Sequence, residues 1–582
     1  MASNLQTALT ERGQQTDKGR RWAAPWSTEK MTTWLVLVPV AFFFVYPLWK
    51  LLALSVETET GFGLAYFSEV LKDVRTWDAV GHTVAAAGAS TVIALLLGVG
   101  LAWLCAYTDI RFKGAVHLLA LLPLLIPSYV MTLAWTQMAG PQGVLNRVAS
   151  WLSGSPVELW SVYGLDGIIV VMGLTHYPLV YMLTLSVLHR IPKELEWAAR
   201  SSGAGAYLMF RKVTLPLALP GIAGGGLLAF ISGLDNFGIP AFLGIPENVS
   251  VLSTLIYEQV IGFGPSAFAR ASVLSILLAI LALAGTGLQW LIVRKSKVDQ
   301  TSAADKSVRV PLGKRRQGAE LAVWGFLLVT SVLPLLSMAS TAFLKAYGLP
   351  FVWENLTWKH FEFVLQNHAG TRAAIGNSLM LAGMAGLFCL IAGTWFAHWR
   401  IQRPSFAGKA MEGAIALPYA LPGMVLGLAM ILTWIEPIPG WQPGLYGTVW
   451  LIFLSYVIRF FILQVKSSTV SIMQVGKEVE EAARINGARY WTRWRRVLLP
   501  LYSPGMLTGL FLVFLTAFTE LTISSLLWTS GSETIGVVIF SFEQAGSTTH
   551  STALSTLIVA AILLVLSVGS WLKQLWQRRI EE

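Results

Sequence analysis

Three ionisable residues, Asp235, Arg459 and Glu520, lie inside long apolar stretches of this chain. In hydrocarbon such a side chain costs a few kcal/mol, so it usually faces a bundle interior or water and marks a place where charge is handled. Asp235 and Glu520 stand 285 residues apart in corresponding stretches. At 1.5 Å per residue each falls about 25 Å from the inner end of its helix. That spacing expects both acids near the outer mouth of a pathway, where with Asn236 they would line the way in for a cation. The competing reading makes them solvated helix ends or structural partners. Arg459, in mid-stretch, needs a partner, Glu520 or a backbone carbonyl, and reads as a structural pairing.

Other reactive residue types build no site. His176 and Tyr177 are adjacent, but one His without a second His or carboxylate at ligand spacing is more often a hydrogen-bonded core residue than a metal ligand. Cys105 and Cys389 fall in apolar stretches and read as small buried filler. No G-x-x-x-x-G-K-[ST] run occurs, so the backbone cradle for nucleotide phosphates is missing. No catalytic residue and no cofactor of its own are expected.

The elements that must position these groups are membrane spans. With 55% hydrophobic and 13% charged residues in 582, and a mean hydropathy of +0.61, the chain falls outside soluble globular composition. A span needs about 20 apolar residues to cross roughly 30 Å of hydrocarbon. Twelve stretches qualify: 33–54, 83–106, 115–139, 167–188, 218–242 and 269–293, then 319–341, 377–398, 412–434, 446–465, 503–527 and 551–572. The net charge of +11 is no nucleic-acid footprint, because 33 of the 42 Lys and Arg fall in loops on one side. Such asymmetry marks the cytoplasmic side and expects both termini there. The first 30 residues are polar and basic without an early apolar core, which reads as a retained tail and not a signal peptide.

The chain is also duplicated. Lys193–Gly221 and Lys477–Gly505 are polar islands that, aligned without gaps from Ile191 and Val475, agree at 15 of 31 positions. LPLLIP at Leu122–Pro127 matches LPYALP at Leu417–Pro422, and His82-Thr83 matches Asn377-Ser378, both at an offset of 295. Glu258-Gln259 matches Glu543-Gln544 at an offset of 285. The paired prolines remove backbone donors and should kink their helices, a feature tolerated beside a pathway. An even number of spans per half keeps the halves parallel. The expected fold is therefore an all-α polytopic membrane protein of two parallel six-helix repeats. Its expected divisions are a tail at 1–32, a first repeat at 33–294, a basic linker at 295–318, a second repeat at 319–572 and a tail at 573–582.

Within the islands, Glu194–Ser202 and Glu478–Asn486 favour short helices, and Gly203 and Gly487 follow where a helix can end. The pattern E-A-A-x3-G, with an L-P proline 13 residues past the glycine, resembles the loop motif of permease subunits of binding-protein-dependent bacterial ABC importers, which have the type I permease fold. That resemblance implies that each short helix enters a cleft on an ATPase subunit. The coupling residues carried over are Glu196, Ala198, Ala199 and Gly203 in the first copy, and Glu480, Glu481, Ala482, Ala483 and Gly487 in the second. Trp197 stands where the second copy has Glu481, so the two sites are expected to couple unequally. The resemblance further implies two copies of an ABC ATPase, holding ATP and Mg, and a periplasmic or lipid-anchored binding protein. It places the chain among lipid in a bacterial inner membrane, with no role for nucleic acid.

Fusion of two permease halves resembles the importers of ferric iron, thiamine and 2-aminoethylphosphonate, and Leu234–Val260 looks most like the iron group. Ferric iron is the expected solute, with thiamine, 2-aminoethylphosphonate or a polyamine as alternatives. A self-contained secondary transporter would need coupling acids or discontinuous helices at mid-membrane in both halves and gives no reason for two matched islands. A membrane-bound enzyme is disfavoured by the lack of paired His or acid clusters at ligand spacing.

Overall fold

The computed structural model describes residues 28–58, 61–262, 264, 266–294, 305, 307–436 and 444–581. Nearly all of the expected tail at 1–32 and the opening of the linker at 295–318 lie outside them. The first half runs α1 (Thr33–Val56), α2 (Val74–Tyr107), α3 (Lys113–Leu125), α4 (Ser128–Ala139), α5 (Leu165–Leu188), α6 (Lys193–Ser201), α7 (Tyr207–Asp235), α8 (Leu252–Ile261) and α9 (Ala267–Arg294). The second half repeats this order as α10 (Gly313–Ala342), α11 (Ala369–Gln402), α12 (Phe406–Ala420), α13 (Gly423–Trp434), α14 (Val449–Gln474), α15 (Lys477–Ile485), α16 (Tyr490–Phe518), α17 (Ile535–Gln544) and α18 (Thr548–Glu581).

Among the described residues, ten helices are long and apolar enough to cross a membrane, or twelve if each of two bent pairs counts as one span. The bent pairs correct the expected spans 115–139 and 412–434. Instead of kinking, the helices break outright, at 103° between α3 and the helix from Ser128 and at 107° between α12 and α13. The cause is local. Pro127 and Pro422 drive the residue before them out of the α region, leaving Ile126 at φ −91°, ψ 138° and Leu421 at φ −93°, ψ 146°.

Equivalent polar residues do the same work in both halves. Thr83 and Ser378 accept the first N–H of α8 and α17, from Leu252 at 2.8 Å and Ile535 at 2.9 Å. His82 Nδ1 lies 3.0 Å from the Ser250 carbonyl, and Asn377 donates to the Glu533 carbonyl at 3.0 Å. This register sets α8 and α17 283 residues apart, so Glu543 is not the counterpart of Glu258. Ser541 is.

Close helix contacts rest on small residues, as expected where packing and not water exclusion holds helices together. A Cβ on Gly225 of α7 would lie 2.7 Å from the Val180 backbone, and one on the equivalent Gly509 of α16 would lie 2.4 Å from Gln464 Oε1. The first helix of each half reaches across to the other. α1 packs on α13 and α10 packs on α4, with Phe42 edge-on to Trp434 at 5.9 Å and Ser337 donating to the Gln137 carbonyl at 2.8 Å.

Candidate functional site: two handles and a charged cavity

The helices α6 and α15 fall within a residue of the expected segments. Each ends at a glycine in the left-handed region, Gly203 at φ +85° and Gly487 at φ +76°, where a Cβ would be strained. The next N–H closes the same bond in each copy, Ala204 to the Ala199 carbonyl and Ala488 to the Ala483 carbonyl, both at 3.0 Å. Outward faces also match: Trp197 and Ala198 are exposed as are Glu481 and Ala482, while Ala199 and Ala483 are half-buried. Lys193 Nζ lies 5.1 Å from the centre of the Trp197 ring. Large apolar side chains stand in the open around both handles, among them Leu195, Tyr207, Ile485 and Trp491.

Glu196 and Glu480 do not share that outward face. Glu196 is buried, accepts from Thr214 Oγ1 at 2.9 Å, and pairs with Arg309 Nη1 at 3.1 Å. Arg309 comes from the chain between the halves. It also lies over the Tyr107 ring at 4.5 Å and donates to the Ile191 carbonyl. Glu480 has looser partners, Gln402 at 2.8 Å and Arg493 at 3.7 Å. The side chains of these two glutamates thus meet residues of the chain's own bundle, Glu196 fully and Glu480 in part. No local pattern in the sequence marks Arg309, because its contact with Glu196 is tertiary.

Between the halves lies a cavity of about 270 Å³. Both helix breaks line it, through Ser128 and Tyr129 on one side and Tyr419 to Pro422 on the other, together with Asp235, Arg459, Thr519 and Glu520. Arg459 is in contact with Asp235, its Nη2 lying 2.6 and 2.8 Å from the two carboxylate oxygens. Asp235 also accepts the Gly423 N–H at 2.7 Å, at the start of α13. The expectation that Arg459 pairs with Glu520 or a carbonyl is corrected, because the partner is Asp235 from the other half.

Neither acid lies where its spacing placed it. Asp235 meets α14 ten residues after its start at Val449, about 15 Å along that helix at 1.5 Å per residue, and so near its middle instead of at an outer mouth. The chain does not run straight from 218 to 242. It stops being α-helical at Asp235 and continues in a separate short helix from Gly238. Asp235 is also not the counterpart of Glu520. Asn236 Oδ1 accepts the Ile239 N–H at 2.9 Å, and Glu520 Oε1 accepts the Ile523 N–H at 2.9 Å. That shared cap fixes an offset of 284, the same as between the handles, and makes Thr519 the counterpart of Asp235. Glu520 takes further bonds from Ser524 N–H and Oγ, both at 3.2 Å. Asn236 is not among the cavity's lining residues.

His176 is buried with no hydrogen-bond partner at Nδ1, and no group of three or more His, Cys, Asp or Glu that could hold a metal occurs among the described residues. Cys105 and Cys389 are buried free thiols.

A family model described as the inner membrane component of binding-protein-dependent transport systems matches the chain twice, over residues 94–298 and 389–582. The chain belongs to this family. It is a multi-pass inner-membrane permease of the ABC importer class, a transport component and not a catalytic subunit. The permease is 24% identical over 507 residues to a Haemophilus influenzae protein named for a ferric transport system permease, FbpB 1, covering 86% of this chain and 77% of that one. It is 24% identical over 482 residues to the ferric transport system permease FbpB of Actinobacillus pleuropneumoniae, covering 81% and 68%. A Salmonella choleraesuis protein named for a 2-aminoethylphosphonate permease, PhnV, matches at 27% over 223 residues, 38% of this chain and 82% of its own.

Proposed function

We propose that this permease carries ferric iron into the cell, powered by ATPase subunits that grip α6 and α15. The observation carrying the coupling is the pair of handles, which share helix length, left-handed glycine and outward face. The open apolar side chains on the handle helices themselves, Leu195 and Ile485, in a chain without a phosphate cradle, are what an absent protein partner would cover. Both termini and both handles are cytoplasmic in this reading, and a periplasmic or lipid-anchored binding protein delivers the solute on the opposite side. Two ATPase copies, holding ATP and Mg, turn closure of their interface into movement of α5–α7 and α14–α16. The relatives named for ferric transport, which this chain matches across both halves, support iron. A cavity lined by the Asp235 carboxylate also suits a hard cation, which prefers oxygen ligands.

The match to the phosphonate permease supports a second reading, in which Arg459 holds an anion. Co-purification with the ATPase and uptake assays on Gly487→Asp and Ala483→Glu test the coupling. Assembly without uptake is the expected result, and unchanged uptake overturns it. Accumulation of labelled ferric iron in proteoliposomes, against thiamine, 2-aminoethylphosphonate and a polyamine, tests the solute.

A further inference from the structure

We propose that Asp235 and Arg459 form a latch between the two halves, opened when a polyvalent cation in the cavity replaces the guanidinium at the Asp235 carboxylate. The inference rests on the importer reading and on a cationic solute.

The repeat itself separates this pair from ordinary scaffolding. At the offset of 284 that aligns the handles and the caps, the counterparts of Arg459 and Asp235 are Thr175 and Thr519. Each threonine hydroxyl donates to a carbonyl of its own helix, Thr175 to Val171 at 2.7 Å and Thr519 to Leu515 at 2.9 Å. The same architecture is thus satisfied by two neutral residues in one place and carries a charge pair in the other. With Arg459 buried and Asp235 half-exposed to the cavity, replacing such a pair with neutral residues need not cost stability, and the best-attested use of an ion pair held inside a fold is to set a register or a switch.

Its placement is that of a switch. Asp235 ends α7 of the first half and Arg459 lies on α14 of the second, so the halves cannot part at this level without breaking the contact. The same junction is crossed by Phe540, whose ring sits 5.7, 5.6 and 5.8 Å from those of Phe237, Phe242 and Tyr257. The Asp235 side chain is 37% exposed and lines the cavity, whereas the Arg459 side chain is 6% exposed and its Nη1 has no hydrogen-bond partner. A cation in the cavity can reach the Asp235 carboxylate directly. The two oxygens of Glu520, tied to Ile523 and Ser524, are already committed. Asp235 is therefore the exchangeable ligand and Arg459 the group it exchanges.

The test uses the purified full chain in lipid nanodiscs titrated with ferric citrate, and the same chain assembled with its ATPase for hydrolysis measurements. Removing a competitor for the carboxylate should tighten ferric binding by Arg459→Gln about tenfold, and unlatching should raise basal hydrolysis about fivefold in both Arg459→Gln and Asp235→Asn. Asp235→Asn should lose ferric binding. The double reversal Asp235→Arg with Arg459→Asp should lower hydrolysis again while the chain still co-purifies with its ATPase and melts as the unsubstituted chain does, which a merely misfolded variant cannot do. Equal or weaker ferric binding by Arg459→Gln overturns the proposal. So does 2-aminoethylphosphonate binding that Arg459→Gln abolishes, which would make the arginine a ligand. Raised hydrolysis in both neutral variants with no ferric binding by any chain overturns the cation as the opener while leaving the importer reading intact. Failure of the unsubstituted chain to assemble with an ATPase is instead the failure of that reading.

Discussion

Replacing Arg309 with Met should release the first handle and leave the second in place. The Arg309 and Glu196 side chains are 5% and 3% exposed, so removing one partner strands a buried charge at a cost of about 3–5 kcal/mol. At 1.4 kcal/mol per tenfold, even the lower figure shifts the seated-to-released ratio by on the order of 100-fold. Thr214 alone cannot replace the guanidinium, because its single hydroxyl already donates to Glu196 at 2.9 Å. The second handle supplies the internal reference. Glu480 and Arg493 are 3.7 Å apart and 24% and 18% exposed, so Arg493→Met should cost no more than about 1 kcal/mol, as for solvated pairs. Hydrogen exchange in nanodiscs reads both at once. Arg309→Met should accelerate exchange over residues 193–203 while 477–487 stays unchanged, and ATP-driven uptake should fall. Arg309→Met combined with Glu196→Gln should recover much of the protection, since the stranded charge is gone. Unchanged exchange over 193–203 in the single variant, or a larger change over 477–487, would refute the argument.

Three more outcomes are expected. Gly98→Ala should destabilise the first half by about 1–3 kcal/mol in a thermal melt, because its Cβ would lie 2.8 Å from the Tyr177 carbonyl oxygen, whereas Gly100→Ala, with nothing within 4 Å, should melt as the unsubstituted chain does. Pro422→Ala should lower uptake without lowering expression, since Leu421 regains access to the α region and the wall of the cavity can straighten; uptake at the unsubstituted rate would count against the break as a cavity wall. The Leu312 N–H donates to Asp109 at 2.9 Å and holds its carboxyl below the usual 3.8, with Arg316 adding to the effect. A carboxyl lowered by folding contributes stability above its unfolded value and loses it as pH falls through the folded one. Limited proteolysis at 307–316 should therefore be suppressed at neutral pH and rise only as pH falls below 3.8 through the folded value.

Much of this molecule is legible in one dimension because the signals are local. Apolar run length gives most of the spans, proline marks where two of them depart from a straight helix though not that they break outright, and glycine after an Ala-rich turn gives the ends of both handles. Duplication makes each signal appear twice, and the matched pairs His82-Thr83 and Asn377-Ser378 do perform equivalent work. The readings that failed depended on register or on distance. Asp235 and Glu520 match by charge at an offset of 285, yet the caps at Ile239 and Ile523 enforce 284, a single residue that turns a side chain by about 100° on a helix. The apolar run to 242 hid the end of α7 at Asp235.

By itself the sequence determined a duplicated bundle of membrane helices with two polar handles, because hydrophobic length, proline and glycine act within a few residues of where they stand. Only the tertiary structure decided that Asp235 meets Arg459 across 224 residues, that Arg309 seats Glu196, and that α1 and α10 lie against the opposite half. Those contacts join segments distant in the chain, and a buried charge fixes how much partner it needs without fixing which partner it meets.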